Sequence, residues 1–156
     1  MIKRFRITAV ALAAAVVFTL AGCLEQDNGP QDIHWDRDAC ALCGMMISDA
    51  AYVSEIRGGP KNELQKFDDI GCAMNWLNMQ PWAEDPKTRI WVAEVSSSRE
   101  HLTWLDARTA RYIPARMTPM NYGFGAVETA VEGSIPFEQM VAAVLSNGPN
   151  NICKIR

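Results

Sequence analysis

The chain has 156 residues, 49% of them apolar, with 18 acidic residues against 15 basic ones and a net charge of −3. That length suits one compact domain or two very small intertwined halves. The acidic balance excludes a broad basic face for phosphate, so nucleic acid is not an expected partner.

The first residues read as a sorting signal. Lys3, Arg4 and Arg6 precede an almost wholly apolar run from Ile7 to Leu20, and Leu20-Ala21-Gly22-Cys23 closes it with small residues before a cysteine. A basic head, an apolar body and such an ending make an export signal over residues 1–22. The run is shorter than the roughly 20 residues of a membrane span. Its last four residues resemble the bacterial lipobox, in which the cysteine is lipidated and starts the mature chain. Cys23 is therefore the expected lipid attachment site, and Leu24 after it points to the periplasmic face of the outer membrane, with the inner membrane as the alternative. Loss of residues 1–22 removes three basic residues and no acidic ones, which leaves a mature charge of −6.

Residues 23–36 have polar side chains, turn formers and no apolar period, the composition of a flexible tether. His34 lies at its end and is either an extra ligand or a surface histidine. The domain itself is expected over 37–156. It opens with Asp38-Ala39-Cys40-Ala41-Leu42-Cys43-Gly44-Met45-Met46, two thiols and two thioethers in close succession. Sulfur donors select Cu(I), zinc or iron–sulfur clusters. A C-x-x-C pair serves a metal ion, redox exchange or a structural disulfide equally well by spacing alone. Thioethers have no thiol–disulfide chemistry but are good neutral ligands for a soft monovalent ion, whereas core packing is their commoner role.

Beyond the cluster the pattern is that of an α+β domain. Tyr52 to Ile56 alternates as a half-buried strand, Arg57 to Asn62 is a turn, and Leu64 to Phe67 completes a hairpin. Asp68 is placed to cap a helix from Asp69 to Met79, ended by Pro81. Cys72 lies off the apolar face of that helix and reads as a packed thiol. Arg89 to Val95 is the next strand, giving β-β-α-β. A looser second copy follows: His101 to Leu105 and Arg111 to Ile113 around Asp106-Ala107, then Phe124 to Val131. Ser134 and Pro136 start a helix carrying Phe137, Met140, Val141, Val144 and Leu145, and Ile152 to Ile155, with Cys153, forms a closing strand. Between these elements Met117-Thr118-Pro119-Met120-Asn121-Tyr122-Gly123-Phe124-Gly125 sets two methionines in a glycine-containing loop, a possible distant third donor to a metal held by Cys43. His101 is the other candidate donor, since imidazole also binds copper.

Taken together, the lipobox, Cys40-Ala41-Leu42-Cys43-Gly44-Met45, Phe67-Asp68-Asp69-Ile70-Gly71-Cys72, Trp104-Leu105-Asp106-Ala107 and Thr118-Pro119-Met120-Asn121-Tyr122-Gly123-Phe124-Gly125 resemble the NosL family, the nitrous oxide reductase accessory lipoproteins. The resemblance spans most of the mature chain. It implies two β-β-α-β units with a fold related to that of organomercurial lyase. It also implies a periplasmic lipoprotein that binds Cu(I) and serves copper-site assembly in nitrous oxide reductase together with an ABC-type maturation complex. Asn121 stands where the family's loop usually has glycine, and the histidine often found after the C-G-M segment has no counterpart at Ala50-Ala51-Tyr52.

The expected function is therefore that of a copper chaperone, not an enzyme. Cys43 as thiolate, Met45 and Met120 as thioethers, and Cys40 as a further ligand would hold one Cu(I) in low coordination, in a monomer or weak dimer. A periplasmic thiol–disulfide oxidoreductase using Cys40 and Cys43 is the alternative. A structural zinc domain wants four ligands at suitable spacings, and along the sequence only Cys40 and Cys43 are paired. No nucleophile–base arrangement is visible around Cys43.

Overall fold

The computed structural model describes residues 28–148, and within them the chain is α+β, with six strands in two antiparallel sheets and two helices. The export signal, Cys23, Cys153 and the expected closing strand lie outside the described residues. No helix among the described residues is long and apolar enough to cross a membrane.

The alternation before Arg57 and the Gly58-Gly59-Pro60 turn produce the expected hairpin of β1 (Ser54–Gly58) and β2 (Glu63–Phe67). Helix α1 (Ile70–Asn78) follows, then β3 (Arg89–Ala93), β4 (Trp104–Asp106), β5 (Arg111–Pro114), β6 (Phe124–Val127) and helix α2 (Phe137–Asn147). The first sheet has the order β2-β1-β3-β4, and β5 and β6 form a separate two-stranded sheet. This corrects the division into two β-β-α-β halves at one strand. β4 was expected beside Arg111 to Ile113, but it pairs with β3, Leu105 opposite Val92. That register puts the leucine on the core face, and the turn closed by Ala110 N–H to Asp106 O (2.9 Å) then sends β5 away from the sheet. A single parallel bridge between Glu94 and Ala126 joins the two sheets.

Period-two alternation divides the first sheet into two faces. Ile56, Phe67, Ile90, Val92 and Leu105 lie on one, and they enter the main core with Met74 and Leu77 of α1 and Phe137, Met140 and Val144 of α2. On the other face Glu55 sits opposite Lys66, with Arg57 two residues along. The described part of the expected tether is laid along this second face. Gln31 N–H donates to Glu55 Oε2 at 2.8 Å, Lys66 Nζ to Asp32 O at 2.6 Å, and Arg57 Nη2 to Gly29 O at 3.1 Å. Ile33 is buried with Ile47, Val53 and Ala93 in a smaller second core.

Candidate metal centre

Three chain segments converge at the N-terminal end of α1. The first is the C-x-x-C turn, which Ala41 N–H ties to β2 through Lys66 O at 2.9 Å. Its ring is closed by Gly44 N–H to Cys40 O (2.9 Å) and Cys40 N–H to Met45 O (2.8 Å). Gly44 adopts φ +74°, a left-handed conformation that a side chain disfavours, and this lets the chain reverse directly after Cys43. The reversal aims backbone donors at the sulfurs: Cys43 N–H at Cys40 Sγ and Met45 N–H at Cys43 Sγ.

The second segment is the start of α1. The N-cap is Asp69, not the expected Asp68: the Asp69 carboxylate accepts Gly71 N–H at 2.9 Å from an extended backbone. Asp68 is thereby left free of capping and turns to the cysteines, its carboxylate oxygens 3.7 and 3.8 Å from Cys43 Sγ. Cys72, in the first turn of α1, faces the same point. One ligand atom from each of Cys40, Cys43, Asp68 and Cys72 lies within 4.8 Å of the others, and this four-donor set can hold a metal ion. Cys40, Asp68 and Cys72 are buried, while Cys43 is partly exposed.

The third segment is the methionine loop. Asp69 holds it: Thr118 Oγ1 donates to Asp69 Oδ2 at 2.6 Å and Met120 N–H donates to the same oxygen at 3.2 Å. Tyr122 packs on Gly71 so closely that a Cβ there would lie 2.0 Å from the ring. Asn121 takes φ +59°. Asparagine tolerates this left-handed conformation better than most other side chains do.

Electrostatics within the cluster are those of crowded acids. Burial raises the Asp68 carboxyl to about 7, and the neighbouring Cys40 sulfur pushes it in the same direction. Cys40 is lowered, chiefly because the Cys72 thiol donates to it, while burial raises Cys43. Burial thus disfavours charge on Asp68 and Cys43, and Cys40 is the sulfur whose charge its neighbours favour.

Of the expected ligands, the structure brings Cys40 and Cys43 together. Met45 follows them with its side chain 47% exposed, and Met120 is wholly buried in the main core. His34 is exposed and pairs with Asp38 at 3.3 Å, and His101 is also exposed; neither belongs to the four-donor set. Asp68 and Cys72 are the donors that sequence reasoning missed. Cys72 was discounted because it lies off an apolar stripe, but α1 is buried on almost every side, so an apolar stripe does not identify its inner face. The usable signal was the spacing Asp68-x-x-x-Cys72 across a helix start, which sets both residues at one helix end. The Asp68 carboxyl is thus the acidic group that stands beside Cys43, a neighbour the sequence did not reveal. No protein-family model matches the chain, and no curated protein matches it significantly.

Proposed function

We propose that this protein is a lipid-anchored periplasmic Cu(I) chaperone that delivers copper for assembly of the copper sites of nitrous oxide reductase, in concert with an ABC-type maturation complex, as the resemblance to the NosL family implies. The observation that carries the reading is the convergence of three thiols with Cys43 on the solvent side. Soft thiolates favour Cu(I). A half-open site lets an acceptor's ligand reach the ion before the donor's ligands leave, so that the ion is never free. Met45 and Met46 expose thioethers next to Cys43, and Met45 and Met120 complete the proposed ligand set with Cys43 and Cys40. Lipid attachment at Cys23 would raise the effective concentration of the chaperone at membrane partners.

The test is an anaerobic Cu(I) titration of the form that starts after Cys23, in competition with a chromophoric Cu(I) chelator. Tight binding of one ion per chain, lost in Cys43→Ser and weakened in Met120→Leu, is the expected result. Wild-type binding no tighter than that of Cys43→Ser removes copper from the reading. The lowered Cys40 thiol, held so chiefly by the Cys72 thiol that donates to it, favours one rival, a thiol–disulfide oxidoreductase using Cys40 and Cys43. Insulin reduction that survives both Met45→Leu and Met120→Leu, in protein that does not bind Cu(I), would establish it instead.

A further inference from the structure

We propose that Cys40, Cys43, Cys72 and Asp68 also form a closed tetrahedral site for a divalent ion of the zinc class, in which Asp68 is a direct ligand that Cu(I) does not use. The inference shares the cluster with the copper reading but not the ion, so either can fail alone. Its first support is geometric. Metal–sulfur bonds of about 2.3 Å and metal–oxygen bonds of about 2.0–2.2 Å in a tetrahedron set two sulfurs roughly 3.8 Å apart and a sulfur and an oxygen roughly 3.5 Å apart. Cys43 Sγ stands 3.7 and 3.8 Å from the two Asp68 oxygens, and the four donor atoms all fall within 4.8 Å of one another. Adjustments below about 1 Å therefore bring all four donors to bonding distance of one ion.

The second support is the shell around the donors. Backbone N–H groups of Cys43 and Met45 donate to the sulfurs of the C-x-x-C turn, the outer hydrogen bonds that fix and charge a ligating thiolate. Asp68 and Cys72 stand at the start of α1, where the helix dipole favours negative donors. Hence both halves of the site are held by their own local structure, one by a turn and one by a helix end.

Charge and donor type supply the third. Four ionised donors bring four negative charges into a largely buried space, and a divalent ion cancels two of them where a monovalent ion cancels one. A carboxylate oxygen is also a harder donor than a thiolate, suited to zinc and poorly suited to Cu(I). Asp68 is accordingly the residue on which the two ions should disagree.

Cobalt(II), the spectroscopic substitute for zinc, tests this directly under anaerobic conditions. The wild-type chain should bind one Co(II) with intense tetrahedral ligand-field bands and sulfur-to-cobalt charge transfer scaled to three thiolates, and Zn(II) should displace it. Asp68→Asn should weaken Co(II) binding on the order of 1,000-fold, beyond the range of about 10–100-fold seen for outer hydrogen-bond partners of ligands. The same variant should shift Cu(I) affinity by less than about threefold, measured against the chelator. Weak octahedral bands, a two-thiolate charge-transfer intensity, or unchanged Co(II) affinity in Asp68→Asn overturns the proposal. Should that variant fail to fold by circular dichroism, the wild-type band intensities decide alone. Co(II) binding with these properties in protein that does not bind Cu(I) supports the zinc-class site and overturns the copper reading; the reverse result does the opposite.

Discussion

Among the described residues, two buried carboxyls are raised to about 7, Glu55 on the second face of the sheet and Asp68 beside the cysteines. For both, burial is the main cause, but their neighbours differ in sign. Glu55 lies opposite Lys66 and near Arg57, which pull it back down, and it accepts the Gln31 N–H. Asp68 instead faces Cys40, a sulfur that pushes it further up. The folded chain thus supplies cationic side chains beside Glu55, against a push up from Asp38, whereas beside Asp68 it is the Cys72 thiol that donates to it and opposes the Cys40 sulfur. Comparison of the two separates an acid buried for structure from one placed where a cation would complete the site.

The largest effects should come from disrupting the second region alone. Gly71→Ala would drive a Cβ to 2.0 Å from Tyr122, and overpacking of this kind costs about 1–3 kcal/mol or more. We expect a fall in Tm on the order of 10 °C, read by thermal circular dichroism, together with weaker metal binding because the methionine loop is pushed off α1. Metal saturation should act in the opposite direction. At about 100 times Kd an ion that binds only the folded chain adds about 2.7 kcal/mol, and Cys43→Ser should remove this gain while Glu55→Gln leaves it intact.

Glu55 gives the matching test of the first region. Its folded pKa of about 7 exceeds the ordinary 4.5, so between those values the unfolded chain releases the proton that the folded chain retains. Its contribution to stability is therefore full below about pH 4.5 and is lost as pH rises through 7. Glu55→Gln should be more stable than wild type at pH 8 by about 1–3 kcal/mol and show no such gain at pH 4.5, by urea melts at both pH values. A gain that persisted at pH 4.5 would mean packing rather than charge. The smallest effect concerns Asn121. Asn121→Ala should cost about 1 kcal/mol through its left-handed backbone, and Asn121→Gly less than about 0.5 kcal/mol.

Local patterns in the sequence specified the elements of the fold better than their partners. The first hairpin and the helix started by Pro136 appear as periodicity predicts, although the first strand runs Ser54–Gly58, two residues later than the alternation from Tyr52 to Ile56 places it. β4 was legible as a strand, yet its choice of β3 over β5 depends on which edge can bury Leu105, a contact that no local pattern records. The centre was half legible for a related reason. Cys40 and Cys43 announce themselves because one turn joins them, whereas Asp68 and Cys72 reach them only after β1 and β2 have brought α1 alongside. Asp69 shows the same limit: two adjacent aspartates look interchangeable as caps until the methionine loop docks on one of them.

The clamps on residues 28–32 bear on how the molecule presents itself. Asn28 is held by Asn62 and Arg89 at the hairpin-turn end of the first sheet, whereas Cys40, Cys43 and Asp68 gather at the end where β2 runs into α1. Five residues of strand, about 16 Å, separate the two poles. Asn28 therefore stands at the pole opposite the thiols, and the described residues 28–32 lie clear of the partly exposed face of Cys43.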